Sequence, residues 1–138
     1  TGEREQGEIL PVIRDNHLEP YVILHGPLHS EELDAQFEKA DFAIGSLGRH
    51  RSGITYIKTL KNREYAARGL SFTYSETDED FDRMPYVWKV PPDESPIDIC
   101  GLINFQRSQQ MSPPEIRETV RALSWTAQMR KVIHETEI

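Results

Sequence analysis

Apolar residues gather in short continuous runs along this chain, separated by stretches of mixed, helix-period character. Tyr21-Val22-Ile23-Leu24 is one such run, ended by Gly26-Pro27, and it predicts a buried strand. Ahead of it, Gly2-Glu3-Arg4-Glu5-Gln6-Gly7-Glu8-Ile9-Leu10 reads as a loop opening a polar helix that runs to about Asn16. Pro11 weakens the middle of that helix, because its nitrogen has no proton for an interior turn. Beyond the strand, Ser30-Glu31-Glu32-Leu33 predicts a helix start: a hydroxyl cap, acids in the first turn, then Leu33, Phe37 and Ala40 at helical spacing. Phe42-Ala43-Ile44 predicts a second buried strand running into Gly45-Ser46-Leu47-Gly48, and a basic loop follows, Arg49-His50-Arg51-Ser52-Gly53. Residues 60–68 read as a helix closed by Gly69, and Leu70–Tyr74 as the next strand. Pro85–Ile97 is proline-rich and irregular, with a strand or edge strand around Tyr86–Val90. Ile97–Arg107 and Glu115–Thr136 read as helices. Ser112-Pro113-Pro114-Glu115 caps the second with prolines in the first turn, where they cost little, and Ile116, Val120, Leu123 and Ala127 form its inward stripe.

Helices alternating with short strands apolar on both faces predict an α/β fold: a Rossmann-like parallel sheet flanked by helices. A doubly wound unit opens with a strand, whereas Thr1-Gly2-Glu3 looks like the loop after one. With no initial methionine either, the expectation is a fragment lacking its first strand. The 138 residues suit one compact domain. Sixteen basic against 23 acidic residues leave a charge of −7, which argues against a general nucleic-acid or anionic-membrane binder while permitting a local basic pocket. The lone cysteine, Cys100, rules out an internal disulfide framework and a cysteine-built zinc site, and is expected to be a buried thiol. No apolar run approaches the roughly 20 residues of a membrane span, and no signal peptide is visible.

Ligands of open α/β sheets bind beyond the carboxyl ends of the strands, where helix N-termini present free N–H groups. His25-Gly26-Pro27, Gly45-Ser46-Leu47-Gly48 and Ser75 onward would end at that rim, and the helix of residues 60–68 starts there. Lys61 in its first turn could meet a phosphate. Glu64, at i+3 on the same face, could accept hydrogen bonds from a ribose diol. Spacing alone favours a solvated ion pair worth about 0.2–0.5 kcal/mol. Asp78-Glu79-Asp80 fits a metal-binding Asp-x-Asp, but its setting between Ser75, Thr77 and Phe81 reads as a capped turn. His25 and His29 are four apart with Gly26-Pro27 between them, which breaks a shared helical face; His25 is kept as a pocket-lining candidate.

The pattern Lys61-x-x-Glu64-Tyr65-x-Ala67-x-Gly69, followed by a strand, resembles the donor-site helix of retaining GT-B glycosyltransferases of the group-1, family-four kind. "GEREQGEILPVI", "YVILHGPLHSEELDAQFEKADFAIGS" and "IRETVRALSWTAQMRKVI" are similar, in order, to other parts of that family's C-terminal domain, so most of the chain is covered. The resemblance implies the nucleotide-sugar half of a two-domain hexosyltransferase-like enzyme. The implied reaction is metal-independent, cofactor-free transfer of a sugar from a nucleotide diphosphate sugar to a hydroxyl of a carbohydrate or lipid-linked acceptor, with retention. Polysaccharide assembly is the setting it implies, in the cytoplasm or at the inner membrane surface through a missing part. An N-terminal domain would bind the acceptor, so the isolated chain would turn over little. Glu64 would contact the donor ribose. The family's partner glutamate, eight positions earlier, is replaced by Tyr56, and the customary proline after the glycine by Ser71. The loop from Ser46 to Thr59 is longer than usual. Its Arg49, His50 and Arg51 are candidates for the diphosphate or the sugar. The donor-site candidates are thus Glu64, Lys61, Ser46, Gly45, Arg49, Arg51, His25 and Gly26, with the catalytic group unassigned. A non-catalytic nucleotide-binding module and a related-fold nucleotide-sugar epimerase are the alternatives.

Overall fold

A computed structural model describes residues 3–136, so Thr1-Gly2, read above as part of a post-strand loop, lie outside the described residues. The chain divides into two compact units, Thr1–Lys39 and Ala40–Ile138. In the first, helix α1 (Glu3–Asp15) accommodates Pro11 in its interior and ends in a left-handed residue, His17 at φ 52°. The Leu18 N–H then returns to the Ile13 carbonyl at 2.9 Å, which satisfies one of the carbonyls a helix end leaves open. Helix α2 (Ser30–Phe37) follows, its N-cap position taken by His29 rather than the expected Ser30. Ser30 sits at φ 46°, and no side-chain cap bond forms there.

Tyr21–Leu24 is not a strand. The Tyr21 and Val22 N–H groups both donate to the Leu18 carbonyl, at 2.9 and 3.0 Å, so a local turn takes the bonds that a sheet partner would have supplied. Tyr21 and Ile23 stand 82 % and 74 % exposed.

In the second unit three parallel strands form a sheet in the order β1 (Ala43–Ile44), β2 (Phe72–Tyr74), β3 (Val87–Lys89). Phe72 pairs with Ala43 on one side and Val87 on the other, which makes β2 the centre; every residue of it is buried. Alternation sends Phe72 and Tyr74 to one face and Thr73 to the other. On the first face, α3 (Leu60–Arg68) and α5 (Pro113–Thr119) pack over Phe72, Tyr74, Phe81 and Tyr86, with Ala66, Ile116 and Val120 filling between the rings. Phe72 meets Phe81 edge-on at 5.4 Å and lies 5.8 Å from Tyr74. On the other face Trp88 and Phe42 pack against Phe105 of α4 (Ile99–Ser108), at 5.3 and 6.4 Å. The result is an α/β sheet covered on both faces, as the alternating pattern predicted.

Two glycines set the spacing. Gly69 ends α3 in the left-handed region at φ 80°, and a Cβ there would lie 2.6 Å from the Pro113 carbonyl oxygen, so only glycine lets α5 approach this closely. Gly45 follows β1 with Asn62 Oδ1, Thr73 O and Tyr74 Cβ each 3.1 Å from where its Cβ would stand. The start of α5 is as its sequence predicted: Glu115 accepts from the Ser112 N–H at 2.7 Å and from its hydroxyl, with Pro113 and Pro114 in the first turn.

Two expectations fail in the C-terminal half. Glu115–Thr136 is not one helix: α5 stops at Thr119, a 3-10 turn spans Arg121–Leu123, and α6 (Trp125–Thr136) restarts. Ser124 is extended at ψ 149°, and its hydroxyl accepts from the Ala127 N–H at 3.3 Å, which caps a new helix. Cys100 is exposed, not buried. The inward stripe of α4 is Gly101-Leu102 and Phe105-Gln106, and Cys100 lies just off it.

Candidate functional site

Parallel strands deliver their carboxyl ends to one edge of the sheet, and a concavity of the second unit lies there. A cleft of about 490 Å³ is bounded by Leu47, Gly48, His50 and Arg51 after β1, by Trp88 to Pro91 at the end of β3, and by Asp93 to Asp98, which lead into α4. Its walls are mixed. Leu47, Trp88, Val90, Pro96 and Ile97 supply apolar surface; His50, Arg51 and Lys89 face Asp93, Glu94 and Asp98 in the same cleft. At the α4 start the Asp98 carboxylate accepts from the Gly101 N–H at 2.8 Å, so that helix end is already capped.

A clasp joins two sides of the cleft. Arg49–Ser52 forms a 3-10 turn ended by Gly53 at φ 69°, and from it His50 Nε2 meets Glu94 Oε1 at 2.8 Å. Arg51 Nε donates to the same oxygen at 2.7 Å, while its Nη2 pairs with Oε2. Hydrogen bonds from Arg51 and His50 hold the Glu94 carboxyl down to about 2, and Glu94 in turn raises the Arg51 guanidinium. Asp93 is also held low, by the hydroxyl and N–H of Ser95. Arg51, Glu94 and Asp93 are at the surface, where such pairs are individually weak and exchangeable, while His50 is mostly covered.

Under the end of β2 lies a better sheltered network. Lys89 Nζ donates to Asp82 at 2.9 Å, pairs with the Glu76 carbonyl, and stands 4.0 Å above the Tyr74 ring. Tyr74 donates to Asp82 at 2.6 Å. Burial and the neighbouring Asp82 push the Tyr74 hydroxyl far above its ordinary range. Burial opposes ionisation of Asp82, but the bonds from Tyr74, Lys89 and the Asp78 N–H outweigh it and hold the carboxyl low. Arg49, at the start of the 3-10 turn, donates from Nε to Ser46 Oγ at 3.0 Å, and the same nitrogen is 4.0 Å from Glu76 Oε1.

The sequence candidates scatter relative to this cleft. Arg51 lines it. Ser46 and Arg49 are brought together beside it, and the Ser46 carbonyl accepts from the Ser75 N–H at 3.1 Å. Gly45 is a packing position against Asn62. Lys61 is exposed on α3, and half-exposed Glu64 accepts from Arg68 Nε and Nη2 at 3.2 and 3.1 Å; neither lines the cleft. His25 and Gly26 belong to the first unit, where Gly26 takes φ 72°. Tyr56 is exposed, donates to Glu79 at 3.1 Å, and pairs through its backbone with Thr77.

Arg63, on the same helix as Lys61 and Glu64, is held in a network of its own. Its Nη1 donates to the Thr59 carbonyl at 2.9 Å and to Asp78 Oδ2 at 3.2 Å, its Nη2 pairs with Asp80, and its guanidinium lies 5.5 Å from the Phe81 ring centre. Asp78 is fully buried and also accepts from Asn62 Nδ2 at 3.3 Å and from the Asp80 N–H. Asp78-Glu79-Asp80 therefore forms a capped turn whose carboxylates are taken up by protein groups: Arg63 bridges Asp78 and Asp80, and Glu79 accepts from Tyr56. Among the described residues no group of three or more His, Cys, Asp or Glu is arranged to hold a metal ion. The sequence reading also passed over Trp88, Glu94 and Glu76. The acidic run Asp93-Glu94 in a proline-rich loop, opposite a basic one, was the readable signal for the clasp.

Set against known proteins, the chain matches no family model, no curated sequence and no solved structure. Among the described residues no helix is long and apolar enough to cross a membrane.

Proposed function

We propose that this chain is the donor-binding domain of a glycosyltransferase, taking a nucleotide diphosphate sugar at the carboxyl rim of its sheet. The observation that carries the reading is the position of the 490 Å³ cleft: beyond the ends of parallel strands, walled by the loop after β1, with Arg51, His50 and Lys89 at hand and Trp88 as a flat apolar surface. The Lys61/Glu64 motif and its resemblance to retaining GT-B enzymes give the ligand class. In this reading the diphosphate displaces Glu94 from Arg51, one anion for another. Arg51 and Lys89 then stabilise the departing diphosphate electrostatically. Acceptor binding is assigned to a separate N-terminal domain, and transfer to the two together.

Calorimetric titration of UDP, GDP, ADP and their sugars, with and without EDTA, tests this. The expected result is selective binding of one nucleotide, insensitive to EDTA. That binding should be weakened at least tenfold by Arg51→Ala. Absence of binding by any nucleotide to folded protein refutes the reading.

A further inference from the structure

Glu76 stands immediately past β2, at the end of the central strand, and is 1 % exposed. Neither of its carboxylate oxygens has a hydrogen-bond partner among the described residues. The two nearby cations do not supply one. Lys89 reaches the Glu76 main-chain carbonyl, and Arg49 Nε stops at 4.0 Å from Oε1 while donating to Ser46 Oγ. A sheltered carboxylate left without donors works against folding, because it loses water and receives nothing in exchange. Buried groups of this kind call for an absent partner. Asp78, one turn away and equally buried, shows the contrast: its oxygens are met by Arg63, Asn62 and the Asp80 N–H.

The surroundings select the chemistry of that partner. A cation on Glu76 would be opposed by Arg49, and an anion on Arg49 would be opposed by Glu76. A neutral hydroxyl suits both, since it donates to the carboxylate and accepts from the guanidinium. Both Glu76 oxygens are covered as the side chains stand, so the hydroxyl is admitted as the part-exposed Arg49 side chain turns away from Ser46. Arg49 is 36 % exposed, so one member of the pair is reachable from solvent and the other is sheltered. The pair also adjoins the cleft: His50, next to Arg49, and Lys89, bonded to Glu76, are both wall residues.

We propose that Glu76 and Arg49 form a hydroxyl-binding subsite that reads the sugar of the donor, an inference that rests on the nucleotide-sugar reading above. Calorimetry on the full chain should show Glu76→Gln binding the bare nucleoside diphosphate within twofold of wild type, while losing tenfold or more against the matching nucleotide sugar. Ligand-free Glu76→Gln should unfold at a higher temperature than wild type, because a buried carboxylate without hydrogen-bond donors has been removed. Arg49→Gln, altered at a partly exposed position that tolerates change, should lose the same sugar increment. Wild-type affinity for the nucleotide sugar in both variants, or a lowered unfolding temperature in Glu76→Gln, overturns the subsite while the nucleotide reading stands. A wild-type chain that binds no nucleotide at all overturns both.

Discussion

Replacing Arg63 by methionine removes a guanidinium while keeping an unbranched stem over Phe81. The loss falls on Asp78, whose fully buried carboxylate would retain only the Asn62 amide at 3.3 Å and the Asp80 N–H at 3.3 Å. Breaking a buried pair from one side costs about 3–5 kcal/mol, since the remaining charge is stranded. Arg63 keeps 22 % of its side chain in solvent, so the lower end, about 3 kcal/mol, is the expected cost. For a unit of about 100 residues, 1 kcal/mol moves the midpoint by roughly 4–8 °C, so Arg63→Met should lower it by about 12–24 °C. Urea and thermal unfolding measure the loss directly. The decisive comparison is the same substitution in Asp78→Asn, where no buried charge is left to strand. There Arg63→Met should cost about 1 kcal/mol or less, the worth of an ordinary hydrogen bond. Equal costs in the two backgrounds would refute the stranded-carboxylate argument, and Arg63 would then count only as packing.

Two further outcomes follow from the geometry. Gly69→Ala should lose more than about 2 kcal/mol in urea unfolding: roughly 1–2 from the left-handed backbone, and the rest from the 2.6 Å approach to Pro113. Gly53→Ala, at φ 69° with nothing within 4 Å of the new Cβ, should show the backbone cost alone, so equal losses at the two sites would disprove the close-approach claim. The Glu94 carboxyl should titrate at about 2 instead of its ordinary 4.5. Its folded value is depressed, so the clasp is fully formed above pH 4.5 and is lost as pH falls towards 2. Carbon-detected NMR should show this, with Arg51→Gln moving the midpoint back up; a wild-type midpoint at the ordinary value would remove the clasp.

Much of the second unit was legible because its signals are local. Gly69 ends α3 because a helix needs a residue that turns left, and Ser112-Pro113-Pro114-Glu115 starts α5 because its own atoms satisfy the first turn. Ser124 was equally local and was missed: read inside a long helical pattern, it broke that pattern by capping a new helix. The clasp and the Arg63 network were out of reach, because Arg51 and Glu94 are 43 positions apart, and Arg63 meets Asp78 and Asp80 from 15 and 17 positions away. Charge spacing along a helix cannot distinguish an arginine facing water from one facing a buried aspartate.

The sequence by itself located the apolar runs from which the sheet is drawn. Short apolar runs and their glycine ends specify where β1 and β2 lie, and alternation with helices specifies that they run parallel. Whether an apolar run becomes a strand at all was decided only by tertiary structure. Phe72-Thr73-Tyr74 found partners on both sides, while Tyr21–Leu24, just as apolar, bonded to its own turn. A strand is half of a hydrogen-bonding arrangement whose other half lies elsewhere in the chain. The same holds for the candidate site, where Arg49 and Glu76 acquire meaning from the 4.0 Å that separates them in space and not from the 27 positions between them in sequence.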